Sequence, residues 1–213
     1  MLLDQYMLNE LKLIEYGFTL EKETYSYKYM LKKLDFYAYF YIQNDKLDIK
    51  VYDSETEEEY ILFSIQGSTG KIVGTIREEV EQVTHDILTK CYSKYDLKEQ
   101  LLNDASRVYG MAPETPFKNA PNYYVMKTSL KNKWYAVFMD ITYDKLGIES
   151  KDTVQIVNLK NQPEKIKALI DYKQFFPAYH MNKKNWITVV LNKTTDVEFL
   201  KKLIDESYTI IEK

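Results

Sequence analysis

A chain of 213 residues lies between one large domain and two small ones, and its 45% hydrophobic content, with 20 Tyr and 9 Phe, excludes a disordered segment. No run approaches the roughly 18 uninterrupted apolar residues of a spanning helix, and Met1-Leu2-Leu3-Asp4-Gln5 lacks the basic lead of a secretory signal, so a cytoplasmic protein with no membrane partner is expected. The net charge of -3 excludes a strongly basic, non-specific nucleic-acid binder, and the single cysteine, Cys91, excludes an intramolecular disulfide or a thiolate zinc site.

The mean charge conceals an asymmetry. Residues 1–95 carry 11 Lys and Arg against 17 Asp and Glu, whereas residues 96–213 carry 18 against 15. All five prolines (Pro113, Pro116, Pro121, Pro163 and Pro177) fall in the second stretch. Two small domains, 1–95 and 96–213, are therefore expected.

In the first, a short amphipathic segment (Leu8, Leu11, Leu13, Ile14) precedes runs of β character at Tyr25–Leu31, Phe36–Ile42, Leu47–Tyr52 and Tyr60–Ile65, which predict a meander of four antiparallel strands. After Gly67-Ser68-Thr69-Gly70, the spacing of Ile76, Val80, Val83, Ile87 and Leu88 predicts a helix covering that sheet. In the second, a helix over Leu97–Tyr109 stops at Gly110, and strands follow at Tyr123–Thr128, Trp134–Ile141 and Val154–Leu159. Pro163 begins a helix through Ile170, Trp186–Leu191 reads as a strand, and Val197–Ile211 as a closing helix capped by Thr195 or Asp196. Strands mixed with flanking helices, without regular βα alternation, indicate an α+β fold. Phe36-Tyr37-Ala38-Tyr39-Phe40 and Trp134-Tyr135-Ala136-Val137-Phe138 echo one another.

Two stretches of the second domain hold no acidic residue. Thr115–Met139 carries Lys118, Lys127, Lys131 and Lys133 among Tyr123, Tyr124, Trp134 and Tyr135, and Tyr172–Thr195 carries Lys173, Lys183, Lys184 and Lys193 among Phe175, Phe176, Tyr179 and Trp186. Cations neutralise phosphates and aromatic faces stack on exposed bases, so a lysine and aromatic face for nucleic acid is one reading; solvated turn lysines and core aromatics are the other. The strand from Trp186 places Ile187, Val189 and Leu191 on a wholly apolar face toward the core and Trp186, Thr188 and Val190 on the other, which leaves Trp186 open beside Lys184 unless a helix covers it.

Catalytic readings are weaker. His85 and Cys91 stand six apart on one helix, about 240° around its axis, and cannot touch within it. Gly67-Ser68-Thr69-Gly70-Lys71 departs from a phosphate loop, with Ile72 where a magnesium-binding hydroxyl belongs. The acidic run Asp53–Glu59 lacks the spacing and glycine of a calcium loop and reads as a solvated turn.

Tyr179-His180-Met181-Asn182-Lys183-Lys184-Asn185-Trp186, with Trp134-Tyr135-Ala136, Leu191-Asn192 and Ile204-Asp205-Glu206-Ser207-Tyr208, resembles the MmcQ/YjbR family over residues 96–213. The resemblance implies a compact CyaY-like fold and a predicted DNA-binding role, and residues 1–95 resemble an extension of longer members. Where the family often has a second His before the Trp and an Asp in the following turn, this chain has Asn185 and Asn192. That weakens any His-pair ligand or proton relay. The expectation is a non-enzymatic binder of DNA or another polyanion, acting through Lys127, Lys131, Lys133, Trp134, His180, Asn182, Lys183, Lys184 and Trp186, with no cofactor, metal or catalytic residue. The alternative is a protein-protein adaptor or secretion-chaperone-like module that binds polypeptide along Tyr-rich strand edges.

Overall fold

The computed structural model describes residues 1–213, which separate into two units, Met1–Lys94 and Tyr95–Lys213. In the first unit the elements run β1 (Tyr6–Leu8), α1 (Glu10–Tyr16), β2 (Thr19–Glu21), β3 (Thr24–Met30), β4 (Phe36–Gln43), β5 (Lys46–Asp53), α2 (Lys71–Cys91) and β6 (Tyr92–Lys94). Asn9 caps α1 by accepting from the Lys12 amide at 3.1 Å. Gly17 ends the helix at φ 119°, and a Cβ there would sit 3.3 Å from the Tyr27 ring, so only glycine fits without strain.

The strands β2-β3-β4-β5 form an antiparallel meander, closed between β4 and β5 by Asn44 and Asp45 at φ 48° and 58°, the geometry of a tight two-residue hairpin. Alternation sends Ala38, Phe40 and Ile42 to the core with Ile76, Val80, Val83 and Ile87 of α2. Tyr37, Tyr39 and Tyr41 occupy the opposite face, where Tyr37 stacks on Tyr52 with centroids 5.3 Å apart and Lys28 Nζ lies 3.8 Å from the Tyr37 ring centre.

The four-stranded meander is present, but its fourth strand is β2 rather than Tyr60–Ile65. That segment is a 3-10 turn at Ile61–Phe63. The Arg77 guanidinium explains the difference, since it donates to the carbonyls of Leu62, Phe63, Ile65 and Ser68 at 2.8–3.1 Å and takes acceptors a strand ladder would use.

The second unit contains α3 (Leu97–Tyr109), β7 (Tyr124–Lys127), β8 (Trp134–Thr142), β9 (Thr153–Lys160), α4 (Pro163–Leu169), β10 (Phe175–Pro177), β11 (Trp186–Leu191) and α5 (Val197–Glu212). Its antiparallel sheet has the order β10-β11-β9-β8-β7. Asp96 and Asp196 cap α3 and α5 through the Glu99 and Phe199 amides, at 3.1 and 3.0 Å.

One face of the sheet (Met126, Ala136, Phe138, Val157, Leu159, Ile187, Val189, Leu191) packs on Leu101, Ala105, Leu200 and Leu203 of α3 and α5. The other face is largely buried as well, although Trp186 at its end is half-buried rather than covered. Thr188 is 0% and Val190 1% exposed, and Val137, Met139, Ile156 and Phe176 are buried as well. The fold is α+β, with antiparallel sheets and flanking helices in both units. No helix is long and apolar enough to cross a membrane.

Candidate nucleic-acid interface

The strand β8 would by simple alternation place Trp134 with Ala136 and Phe138, under the helices. A register shift prevents this. Met126 of β7 pairs with Ala136 and the next residue, Lys127, pairs with Trp134, so Tyr135 is an extra residue in a β-bulge. Tyr135 turns into the helix-side core, 5.4 Å from the Tyr109 ring and 5.1 Å from that of Tyr208. Trp134 is thereby moved to the face of Val137 and Met139, where the three share a recess.

That recess has a volume of about 440 Å³. Its rim and walls are aromatic: Phe117 meets Trp134 edge-on at 5.8 Å and Tyr123 at 6.2 Å, and Tyr179 with His180 closes the far side. Burial pushes the Tyr123 hydroxyl pKa up, with Tyr179 and Asp140 adding to the effect.

A buried polar knot holds the Tyr179 segment. Thr188 Oγ1 donates to Asn158 Oδ1 at 2.5 Å and accepts from the Tyr179 amide at 2.8 Å, while Asn158 Nδ2 donates to the Tyr179 carbonyl at 2.7 Å. His180 follows at φ 56°, its ring 4.1 Å from that of Tyr179. On its other side lies a second recess of about 260 Å³, to which Lys145 and Lys183 contribute.

Asn182 organises the lysine turn. Its Oδ1 accepts from the Lys184 amide at 2.9 Å, and its carbonyl accepts from the amides of Asn185 and Trp186 at 3.0 and 2.9 Å. Lys183 and Lys184 are held exposed as a result. In the β7–β8 turn, Lys131 and Lys133 are exposed too, on a loop whose Leu130 amide donates to Glu212 Oε1 at 2.8 Å.

The registers Lys127 opposite Trp134 and Lys160 opposite Trp186 bring two lysine and tryptophan pairs to the same end of the sheet. Of the nine residues expected to bind, Trp134 and His180 line the aromatic recess, while Lys131, Lys133, Lys183 and Lys184 are exposed on the two turns at that sheet end. Asn182 shapes the backbone, and Trp186 is half-buried outside the recess. Lys127 differs from the other lysines: its ammonium lies 2.7 Å from Glu114, which offsets its charge.

Sequence reasoning missed Phe117, Asn158 and Thr188. The last two left a signal, Thr188 as the single hydroxyl of the apolar β11 and Asn158 as one of two polar residues, with Gln155, inside β9, a pattern that calls for buried hydrogen-bond partners. Phe117 gave none, because it sits on an irregular segment.

The YjbR family model matches residues 106–210, inside the second unit. The uncharacterized protein YyaQ of Bacillus subtilis (strain 168) is 32% identical over 111 residues, 52% of this chain and 94% of that one. The chain belongs to the YjbR family. Another relative, the uncharacterized protein YbdF of Escherichia coli O157:H7, is 36% identical over 61 residues, 27% of this chain and 48% of its own. A crystal structure of a Pseudomonas syringae protein matches with a TM-score of 0.51 and 38% identity, covering 53% of this chain and 96% of that one. The YjbR match includes the bulged strand, the polar knot and the lysine turn. The first unit lies outside it.

Proposed function

We propose that the second unit is a non-enzymatic DNA-binding module of a cytoplasmic protein, with a preference for single strands. An unpaired base enters the Trp134 recess and stacks among Phe117, Tyr123 and Trp134, while lysines of the two turns hold flanking phosphates. The observation that carries this reading is the aromatic lining of a recess without a carboxylate, whose Trp134 stands at the sheet end where the two turns carry the exposed Lys131, Lys133, Lys183 and Lys184. The adjoining recess, with Lys145 and Lys183 beside His180, likewise has no carboxylate in its lining and suits a phosphate. A duplex keeps its base faces stacked and engages the lysines alone.

The reading takes the fold as CyaY-like, on an antiparallel sheet backed by α3 and α5. It assigns no catalytic step: the His180 ring packs against Tyr179, and Cys91 is buried in the other unit. Titrating the full chain with labelled single-stranded and duplex oligonucleotides at two ionic strengths tests it. Weak, salt-sensitive binding that favours the single strand is expected, and no binding at low salt overturns it.

A further inference from the structure

Tyr179 and His180 are consecutive in the chain and line both recesses of the second unit, the aromatic one on one side and the recess of about 260 Å³ on the other. A ligand whose base stacks beside Trp134 therefore has the group next to that base within reach of the second recess. Leu146, Phe176, Pro177 and Ala178 give that recess apolar walls, and Tyr172 stands edge-on to Phe176 at 6.2 Å. Its charges come from Lys145 and Lys183.

The carboxylates nearest to these walls in sequence are engaged elsewhere. Asp144 accepts from the Thr142 hydroxyl and from Lys151 at 2.5 Å, which leaves Lys145 a distant second at 4.0 Å. Asp171 Oδ1 accepts from the amides of Lys173, Gln174 and Phe175 at 2.9, 2.9 and 2.8 Å, so its charge is turned into its own loop. The backbone adds donors, because the amides of His180, Met181 and Lys183 bond to no acceptor in the chain.

Two ammonium groups and unclaimed amides around one concave recess suit a dianion better than a monoanion. An internal phosphodiester carries a single charge, and its chain must leave on both sides. A terminal phosphomonoester carries a charge of about -1.5 to -2 at neutral pH, presents a third free oxygen, and its chain leaves on one side only.

We infer that the second recess captures the terminal phosphate of a single strand whose end base stacks in the aromatic recess. Lys145 and Lys183 meet the phosphate charge, and the amides of the loop from His180 are the further donors. The inference rests on the single-strand reading above and makes the site one that recognises strand ends.

Titration of the full chain with one internally labelled single-stranded oligonucleotide in three forms, 5′-phosphorylated, 3′-phosphorylated and hydroxyl at both ends, tests this. One phosphorylated form should bind more tightly than the hydroxyl-ended form by about tenfold or more, and which one it is identifies the end. The Lys145→Ala/Lys183→Ala variant, which alters two exposed side chains and removes no buried contact, should lose most of that preference. Equal affinity for all three forms overturns the inference and leaves the single-strand reading standing. An equal gain from either phosphate reports added charge alone and overturns it too, as does a preference unchanged in the double variant. Binding of none of the three at low salt overturns both.

Discussion

Thr188 donates its hydroxyl to Asn158 across the β9–β11 pair at 2.5 Å, and both side chains are 0% exposed. The contact ties two central strands to the loop that carries His180, because the same hydroxyl accepts from the Tyr179 amide. Thr188→Val keeps the shape and strands both partners. It should lower stability by about 1–3 kcal/mol for each stranded group, measured by denaturant unfolding. It should also weaken oligonucleotide binding, since Tyr179 and His180 lose their anchor.

Lysines that hold phosphates leave a signature in salt dependence. Lys183→Ala and Lys184→Ala should each weaken binding to all sequences alike and reduce the slope of log affinity against log salt by about 1. Lys127→Ala should change that slope less, because Glu114 at 2.7 Å already offsets its charge. Equal effects at Lys127 and Lys184 would mean that the ion pair opens on binding.

The first unit should oppose phosphate binding. Its 17 acidic residues exceed its 11 basic ones, and uncompensated like charge is felt over a Debye length of roughly 8–10 Å. Residues 95–213 form a compact unit with a hydrophobic core of their own. Removing residues 1–94 should therefore tighten oligonucleotide binding at low salt and leave it unchanged at high salt. Equal affinity at both would show that the first unit is no electrostatic brake.

Arg77 organises residues 61–70 through four carbonyls. Arg77→Ala should cost about 1–3 kcal/mol, with faster amide exchange confined largely to that loop. An unchanged exchange pattern there would contradict the account of why Tyr60–Ile65 is not a strand.

That segment also shows where sequence reasoning stops. Periodicity located α2, α3, β8, β11 and α5 because each buries a continuous face, and a buried face writes its spacing into the chain. Tyr60–Ile65 has the same apolar, β-branched character, but its carbonyls are claimed by an arginine on another element. The strand β10, Phe175–Pro177, is short, lies at the sheet edge and contains a proline, so it carries no alternation to read. The lysine turn was legible from composition. The aromatic recess was not, because it depends on a bulge and on the irregular segment around Phe117.

The bulge supplies the sharpest test of the interface. The chain has only two tryptophans, Trp134 in the recess and Trp186 outside it, so Trp186→Phe leaves Trp134 as the sole indole reporter. In that background a single-stranded oligonucleotide should quench the fluorescence, because a base stacks on or beside the indole, while a duplex of the same sequence should quench it little. Trp134→Ala should then cost about 1–3 kcal/mol of single-strand binding, the usual worth of one stacking platform. Its effect on stability should be smaller than the roughly 3–5 kcal/mol of a core tryptophan, since Trp134 is only half-buried and its edge contact with Phe117 lies at the recess rim. The reciprocal variant, Trp186→Ala, should spare the quenching of Trp134. If Trp134→Ala destabilises the protein by the full core amount and binding follows stability alone, the recess is packing rather than a binding surface.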